Sequence, residues 1–177
     1  MSTIETALRT DGPSILRITA EAGVFNPIEL ACVEELWNEY QSDLEASGYI
    51  FLVHRAEDGS VAGYACFGPH PLTEGTYDLY WIAVGPAARG RGIGHALLSH
   101  SEREVCARGG RLLLIETSNT PTYAAARALY GSGGYHVEAC VHDFYAPGDD
   151  LLIYAKILEP PSENQMEGVI SLITERG

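Results

Sequence analysis

The chain has 177 residues, 46% of them hydrophobic and 20% charged, which suits one domain with a single core and argues against wholesale disorder. Its 24 acidic residues outnumber 11 basic ones, for a formal charge of −13. Such a surface repels phosphate backbones, so nucleic acid is not an expected partner, while a cationic ligand is compatible with it. The single lysine is Lys156, whereas Arg89, Arg91, Arg103, Arg108 and Arg111 crowd one stretch, where an anion could be held.

Cys32, Cys66, Cys106 and Cys140 are widely spaced and form neither a CxxC pair nor a zinc-like Cys/His pattern. Each lies in an apolar run, so buried free thiols and no metal are expected. Residues 1–9 lack the apolar centre of a secretion signal, and no apolar run is long enough to span a bilayer. A reducing cytoplasm and no membrane partner are the expectation.

In chain order, residues 1–13 read as a loose, polar N-terminus and residues 14–19 (SILRIT) alternate as a strand would. Asn26 and Pro27 open a helix, as cap and first residue, and Leu30, Val33, Leu36, Trp37 and Tyr40 follow at helical spacing. Residues 49–55 and 61–67 form a hairpin around the turn 57–60. A loop follows over 68–75, a strong strand over 76–84, a glycine- and arginine-rich loop over 85–94, and a helix over 93–107 ended by Gly109 and Gly110. The nearly all-apolar residues 111–117 read as a strand covered on both faces. A helix over 122–130 stops at Gly131, Gly133 and Gly134, and two strands, 135–145 and 151–158, flank a turn at Pro147 and Gly148. Strands alternating with helices after an early hairpin predict an α/β domain with a mixed sheet, over residues 14–158. Residues 159–177 form an extension: either a weakly packed terminus or a short helix, lined by Val169 and Ile173, that docks a second copy in a homodimer.

The informative segment is Arg89-Gly90-Arg91-Gly92-Ile93-Gly94, which joins a strand to a helix. Glycines let backbone N–H groups converge on one anion, and the helix adds its positive N-terminus. No Lys-Ser/Thr pair follows, so this is not a P-loop. The spacing also differs from a dinucleotide fingerprint, though Glu116 at the end of the next strand leaves that reading weakened, not excluded.

The segment resembles the Gln/Arg-x-x-Gly-x-Gly/Ala loop of the GCN5-related N-acetyltransferase family. A second signature agrees: Ala128-Leu129-Tyr130 followed by Gly134-Tyr135 is similar to that family's helix ending Leu-Tyr before a Gly-Phe/Tyr strand start. The resemblance spans residues 14–158. It implies a three-layer α/β fold with a mixed sheet of six to seven strands and about four helices. It also implies acetyl-CoA as co-substrate and transfer of an acetyl group to a primary amine of a small molecule or peptide. By the same resemblance Ile82, Ala83 and Val84 offer backbone groups to the pantetheine arm, and Arg89, Gly90, Arg91, Gly92, Ile93, Gly94 and His95 hold the pyrophosphate. Ala126 meets the coenzyme, and Tyr130 protonates the departing thiolate. Where many members carry asparagine this chain has Tyr123, and Asn119 lies one turn earlier as a substitute contact.

A protonated amine has no lone pair, so a proton acceptor is needed. Asp78 stands where some members of the family carry a glutamate base; Glu116 and His70 are the other candidates. Tyr40, Tyr77, Tyr80, Trp81, Asp143, Phe144 and Tyr145 are candidate acceptor contacts by charge and cation–π attraction. A non-catalytic acyl-CoA sensor is the alternative; it would keep the loop without needing Tyr130.

Overall fold

The computed structural model describes residues 2–43 and 47–159. Their elements are β1 (Thr3–Thr6), α1 (Gly12–Glu21), α2 (Pro27–Ser42), β2 (Ile50–Arg55), β3 (Val61–Pro69), β4 (Thr76–Val84), α3 (Ile93–Ala107), β5 (Leu112–Ser118), α4 (Ala124–Ser132), β6 (His136–Ala146) and β7 (Asp149–Ile157). The strands form one seven-stranded sheet in the order β1-β2-β3-β4-β5-β7-β6. Only β4 and β5 pair in parallel; every other neighbouring pair is antiparallel.

Alternation along the central strands builds a core on each face of the sheet. Phe51, Val53, Tyr64 and Cys66 face α1 and α2, where they meet Ile15, Ile18, Val33 and Trp37. Leu52, Ala65 and Phe67 point the other way, into a cluster with Leu97, Leu98 and Leu113 under α3. This is the expected mixed-sheet, three-layer α/β architecture, with four α-helices among the described residues.

Two expectations at the start of the chain are corrected. Residues 14–19 are not a strand but the middle of α1. Six residues satisfy both periods, and Ile15, Ile18 and Thr19 share one buried face only when spaced as a helix. Pro13, in the first helical turn, is compatible with a helix start. Residues 3–6 are not loose either: they pair along β2 as the edge strand. Arg55 of β2 clamps this corner, donating through both terminal nitrogens to buried Asp11, at 3.2 and 2.9 Å.

The expected α2 forms with a full capping box. Asn26 accepts from the backbone N–H of Ile28 and Glu29, and the Glu29 carboxylate accepts from Asn26 N–H at 2.7 Å. The expectation of four buried thiols is corrected as well. Cys66 is buried, but Cys32 and Cys140 are exposed and Cys106 is half-buried, because an apolar run on a helix or edge strand also has a solvent side. Among the described residues no helix is long and apolar enough to cross a membrane. The tail segment 160–177 and its docking reading lie outside the described residues.

Candidate active site

β4 and β5 pair over only three rungs, from Thr76↔Leu112 to Asp78↔Leu114. Just beyond, β4 takes an extra residue relative to β3: Trp81 faces Cys66 and Leu79 faces Phe67, leaving Tyr80 as the bulge. A bulge sharpens local twist, while β5 stays paired with β7 as far as Ser118. The two strands therefore diverge, and backbone groups of β4 that point away from β3 lack a sheet partner. A cavity of about 660 Å³ opens in the wedge.

At the next turn of the chain, Gly90 and Gly92 adopt φ of +74° and +76°, the left-handed region that glycine enters without strain. The first helical bond of α3 runs from Ala96 N–H to the Gly92 carbonyl at 3.0 Å. Among the described residues, no backbone N–H from Gly90 to His95 has a hydrogen-bond partner. These donors at the positive end of a 15-residue helix make a built anion cradle. Gly94 has a separate role. A Cβ there would lie 3.4 Å from Leu129, so α3 and α4 approach closely beside the cavity.

The arginines contribute less than the sequence suggests. The Arg89 guanidinium donates to the Ala22 carbonyl at 2.8 Å, at the C-terminus of α1; its side chain braces the fold and is not aimed at an anion. Arg91 is exposed, with no ion pair among the described residues. The His95 ring meets the Ser132 hydroxyl at 2.8 Å, so that side chain too is engaged with α4.

Of the candidate site residues, the structure brings Asp78, Glu116, Ile82, Ala126 and Tyr130 to the cavity wall, together with His70, Tyr80, Trp81 and Tyr145. Tyr130 is 6% exposed and packs edge-on against Tyr135 and Tyr154, with centroids 6.5 and 5.7 Å away. Burial raises its phenol well above the ordinary value, so the hydroxyl keeps its proton and is a donor. Among the described residues it has no hydrogen-bond partner. Tyr80, pushed up to about 12 by burial and then by Asp78, is likewise a neutral phenol.

Others fall elsewhere. Tyr40 is buried in the α1–α2 core, its hydroxyl bonded to the Ala7 carbonyl, and Tyr77 is buried under α3. Asp143 and Phe144 lie on the exposed β6 outside the cavity. Asn119 does not reach the cavity wall: its backbone N–H donates to the Asp150 carbonyl at 2.9 Å.

Sequence reasoning missed Glu29 and Asp149. Both line the cavity, and with Asp78 and Glu116 they bring the wall to four carboxylates without an arginine or lysine. The signals that exist at these positions, an Asn26-x-x-Glu29 capping box and a turn at Asp149, are local and do not mark a cavity wall. Tyr123 also lines the cavity, its hydroxyl donating to Glu29 Oε1 at 2.6 Å.

The sheet that splits at its one parallel pair, above a cradle of free amides, fits an extended ligand ending in a phosphate anion. The acetyltransferase (GNAT) family model matches residues 17–135. A crystal structure of a GNAT-family protein from Desulfovibrio desulfuricans is 40% identical, covering 90% of this chain and 100% of that one, with a TM-score of 0.86. The ribosomal-protein-S18-alanine N-acetyltransferase from Escherichia coli is 26% identical over 93% of this chain and 98% of its own, at 0.72. The yncA protein of Salmonella typhimurium, solved with its cofactor acetyl-CoA, is 24% identical over 90% and 95%, at 0.70. No curated protein sequence matched. The chain belongs to the GNAT family of acetyltransferases.

Proposed function

We propose that the protein transfers an acetyl group from acetyl-CoA to a primary amine carried by a cationic small molecule or peptide. The observation that carries this reading is the cavity wall. Glu29, Asp78, Glu116 and Asp149 converge on it without an arginine or lysine, beside the aromatic faces of Tyr80, Trp81 and Tyr145. Such a wall attracts an ammonium group by charge and cation–π contact and repels an anionic acceptor.

Acetyl-CoA supplies the acyl group as an activated thioester. The amides of Gly90 to His95 are placed to hold its pyrophosphate, and the unpaired edge of β4 at Ile82–Val84 to hold the pantetheine arm, with Ala126 on the facing helix. Holding both reactants in one wedge turns a bimolecular encounter into a positioned one. A β4 amide near Ile82 is available to the developing oxyanion. Tyr130, buried and protonated, donates from the far wall towards the departing thiolate. Asn119, engaged with Asp150, is not assigned a role.

Thermal unfolding with acetyl-CoA, NADH and ATP in parallel tests the reading, repeated on Gly92→Glu, which places a carboxylate in the cradle at a left-handed φ. A ligand at one hundred times its dissociation constant stabilises by about 2.7 kcal/mol. A shift with acetyl-CoA, lost in Gly92→Glu, is expected; a shift with a nucleotide instead sinks the reading. Turnover of primary amines, followed by release of the coenzyme thiol and lowered in Tyr130→Phe, separates an enzyme from a binding module.

A further inference from the structure

We propose that His70 is the proton acceptor for the amine, and that Asp78 is its positioning residue and not itself the base. This rests on the acetyl-transfer reading above. Asp78 is the last β4 residue paired with β5, at the vertex of the wedge. Its Oδ2 lies 2.7 Å from His70 Nδ1. A carboxylate at that distance selects the tautomer with the proton on Nδ1, which leaves the Nε2 lone pair free. Both residues line the cavity.

The loop holds His70 in place although the residue is exposed. Its N–H donates to the Thr76 carbonyl at 2.8 Å, and its carbonyl accepts from the Thr73 hydroxyl at 2.8 Å. With the Asp78 contact, backbone and ring are fixed from three directions. The titratable groups that line the cavity with His70 are Asp78 and Tyr80 from β4, Glu116 from β5, and Glu29, Asp149, Tyr123, Tyr130 and Tyr145, with Tyr49 packed on Tyr80; Arg111 binds the Glu74 carbonyl of the His70 loop at 2.9 Å. No arginine or lysine lines the cavity, so no cation on its wall opposes the imidazolium formed after proton transfer. An ordinary carboxylate is about six orders of magnitude too weak to take a proton from an alkylammonium, whereas an ordinary imidazole is about four. The proton passes from the ammonium nitrogen to Nε2, freeing the nitrogen lone pair for attack on the thioester carbonyl. The Asp78 carboxylate stabilises the resulting imidazolium without accepting the proton.

Two measurements test this on the full chain. Imidazole ¹⁵N NMR should show His70 as the Nδ1–H tautomer in the wild type and shift it towards Nε2–H in Asp78→Asn; an Nε2–H wild type overturns the assignment without any acceptor being known. Rates with 1,4-diaminobutane as probe amine should fall at least tenfold in kcat for His70→Ala, with KM for acetyl-CoA unchanged, the acid limb of the pH profile lost and partial rescue by added imidazole. Unchanged kcat and limb in His70→Ala defeat the base while leaving acetyl transfer intact. No acetyl-CoA-dependent melt shift and no amine turnover in the wild type would defeat both.

A separate observation carries a second site. Cys140 and His142 are two apart on β6, which pairs Cys140 with Leu152 and Val141 with Leu151 before the register breaks, and Asp150 is the next residue of β7 at that break. Cys140 Sγ lies 3.9 Å from both His142 Nδ1 and Asp150 Oδ2, which are 3.3 Å apart. Donors bound tetrahedrally to zinc at about 2.0–2.3 Å stand about 3.3–3.7 Å from one another. The outer contact also fits: Asp150 Oδ1 accepts from Asp143 N–H at 3.0 Å, as second contacts orient metal ligands. The geometry points to a three-ligand site for zinc, with the fourth position open to solvent. The absence of zinc-like spacing along the chain did not foresee it, because β6 and β7 assemble the donors across a hairpin.

Titration of the full chain with Co²⁺ alone is the test. A thiolate-to-cobalt charge-transfer band saturating at one equivalent is expected, retained in Cys32→Ser, lost in Cys140→Ser and weakened in His142→Ala. These side chains are exposed, so far-UV circular dichroism should stay unchanged. No thiolate band, or one that survives Cys140→Ser, overturns the site.

Discussion

The Tyr123 hydroxyl donates to Glu29 Oε1 at 2.6 Å across 94 residues of sequence, while Glu29 Oε2 caps α2 by accepting from Asn26 N–H at 2.7 Å. One carboxylate thus joins the start of α2 to the turn before α4 at the cavity wall.

Because the bond is charge-assisted and partly buried, Tyr123→Phe should cost about 1.5–3 kcal/mol in urea unfolding. It should also raise KM for the amine more than KM for acetyl-CoA. A change in neither stability nor amine KM would show that the pair does not organise the wall.

Asp11 and Glu5 both face Arg55, but Asp11 is 7% exposed at its side chain and Glu5 is 44%. Removing Asp11 breaks two of the Arg55 hydrogen bonds and takes the acceptor from the Leu8 N–H, while Arg55 keeps Glu5 and the Gly59 carbonyl; removing Glu5 loses only an exposed contact. Asp11→Ala should destabilise by about 1–3 kcal/mol and Glu5→Ala by less than about 1 kcal/mol. Equal costs in chemical denaturation would contradict the burial difference.

Tyr64, Tyr130 and Tyr135 are buried, and burial is the largest cause of their raised phenol values. In the unfolded chain they ionise near pH 10. The folded state keeps their protons, so the stability they contribute is complete below about pH 10 and is lost as pH rises through the folded values. Urea midpoints should therefore fall from about pH 10 upward. A flat profile to about pH 11 would exclude this linkage.

Thiol accessibility should follow the strand and helix faces. Cys32 and Cys140 are exposed, whereas Cys66 is fully buried and burial holds its thiol protonated. A maleimide followed by mass spectrometry should label the first two in the folded protein, with Cys66 labelled only after denaturation. Rapid labelling of Cys66 in native protein would place β3 at a more open position than the sheet gives it.

The elements that depend on local chemistry were legible in the sequence. The left-handed glycines at 90 and 92, the Asn26 cap, the hairpin around Gly59 and the Leu129-Tyr130 helix end each act within a few residues, so the cradle was legible from local chemistry, whereas Ile82, Ala126 and Tyr130 were named only through the family resemblance. Alternation over residues 14–19 misled because six residues satisfy two periods, and only packing against β3 selects the helix. Tertiary structure alone decided the rest. It turned Arg89 to the Ala22 carbonyl, set His70 on Asp78 and Tyr123 on Glu29, and brought Cys140, His142 and Asp150 onto one face. The physical reason is the same in each case: these contacts join positions whose distance is set by strand register, bulges and helix packing, and no local propensity of the chain encodes such a distance.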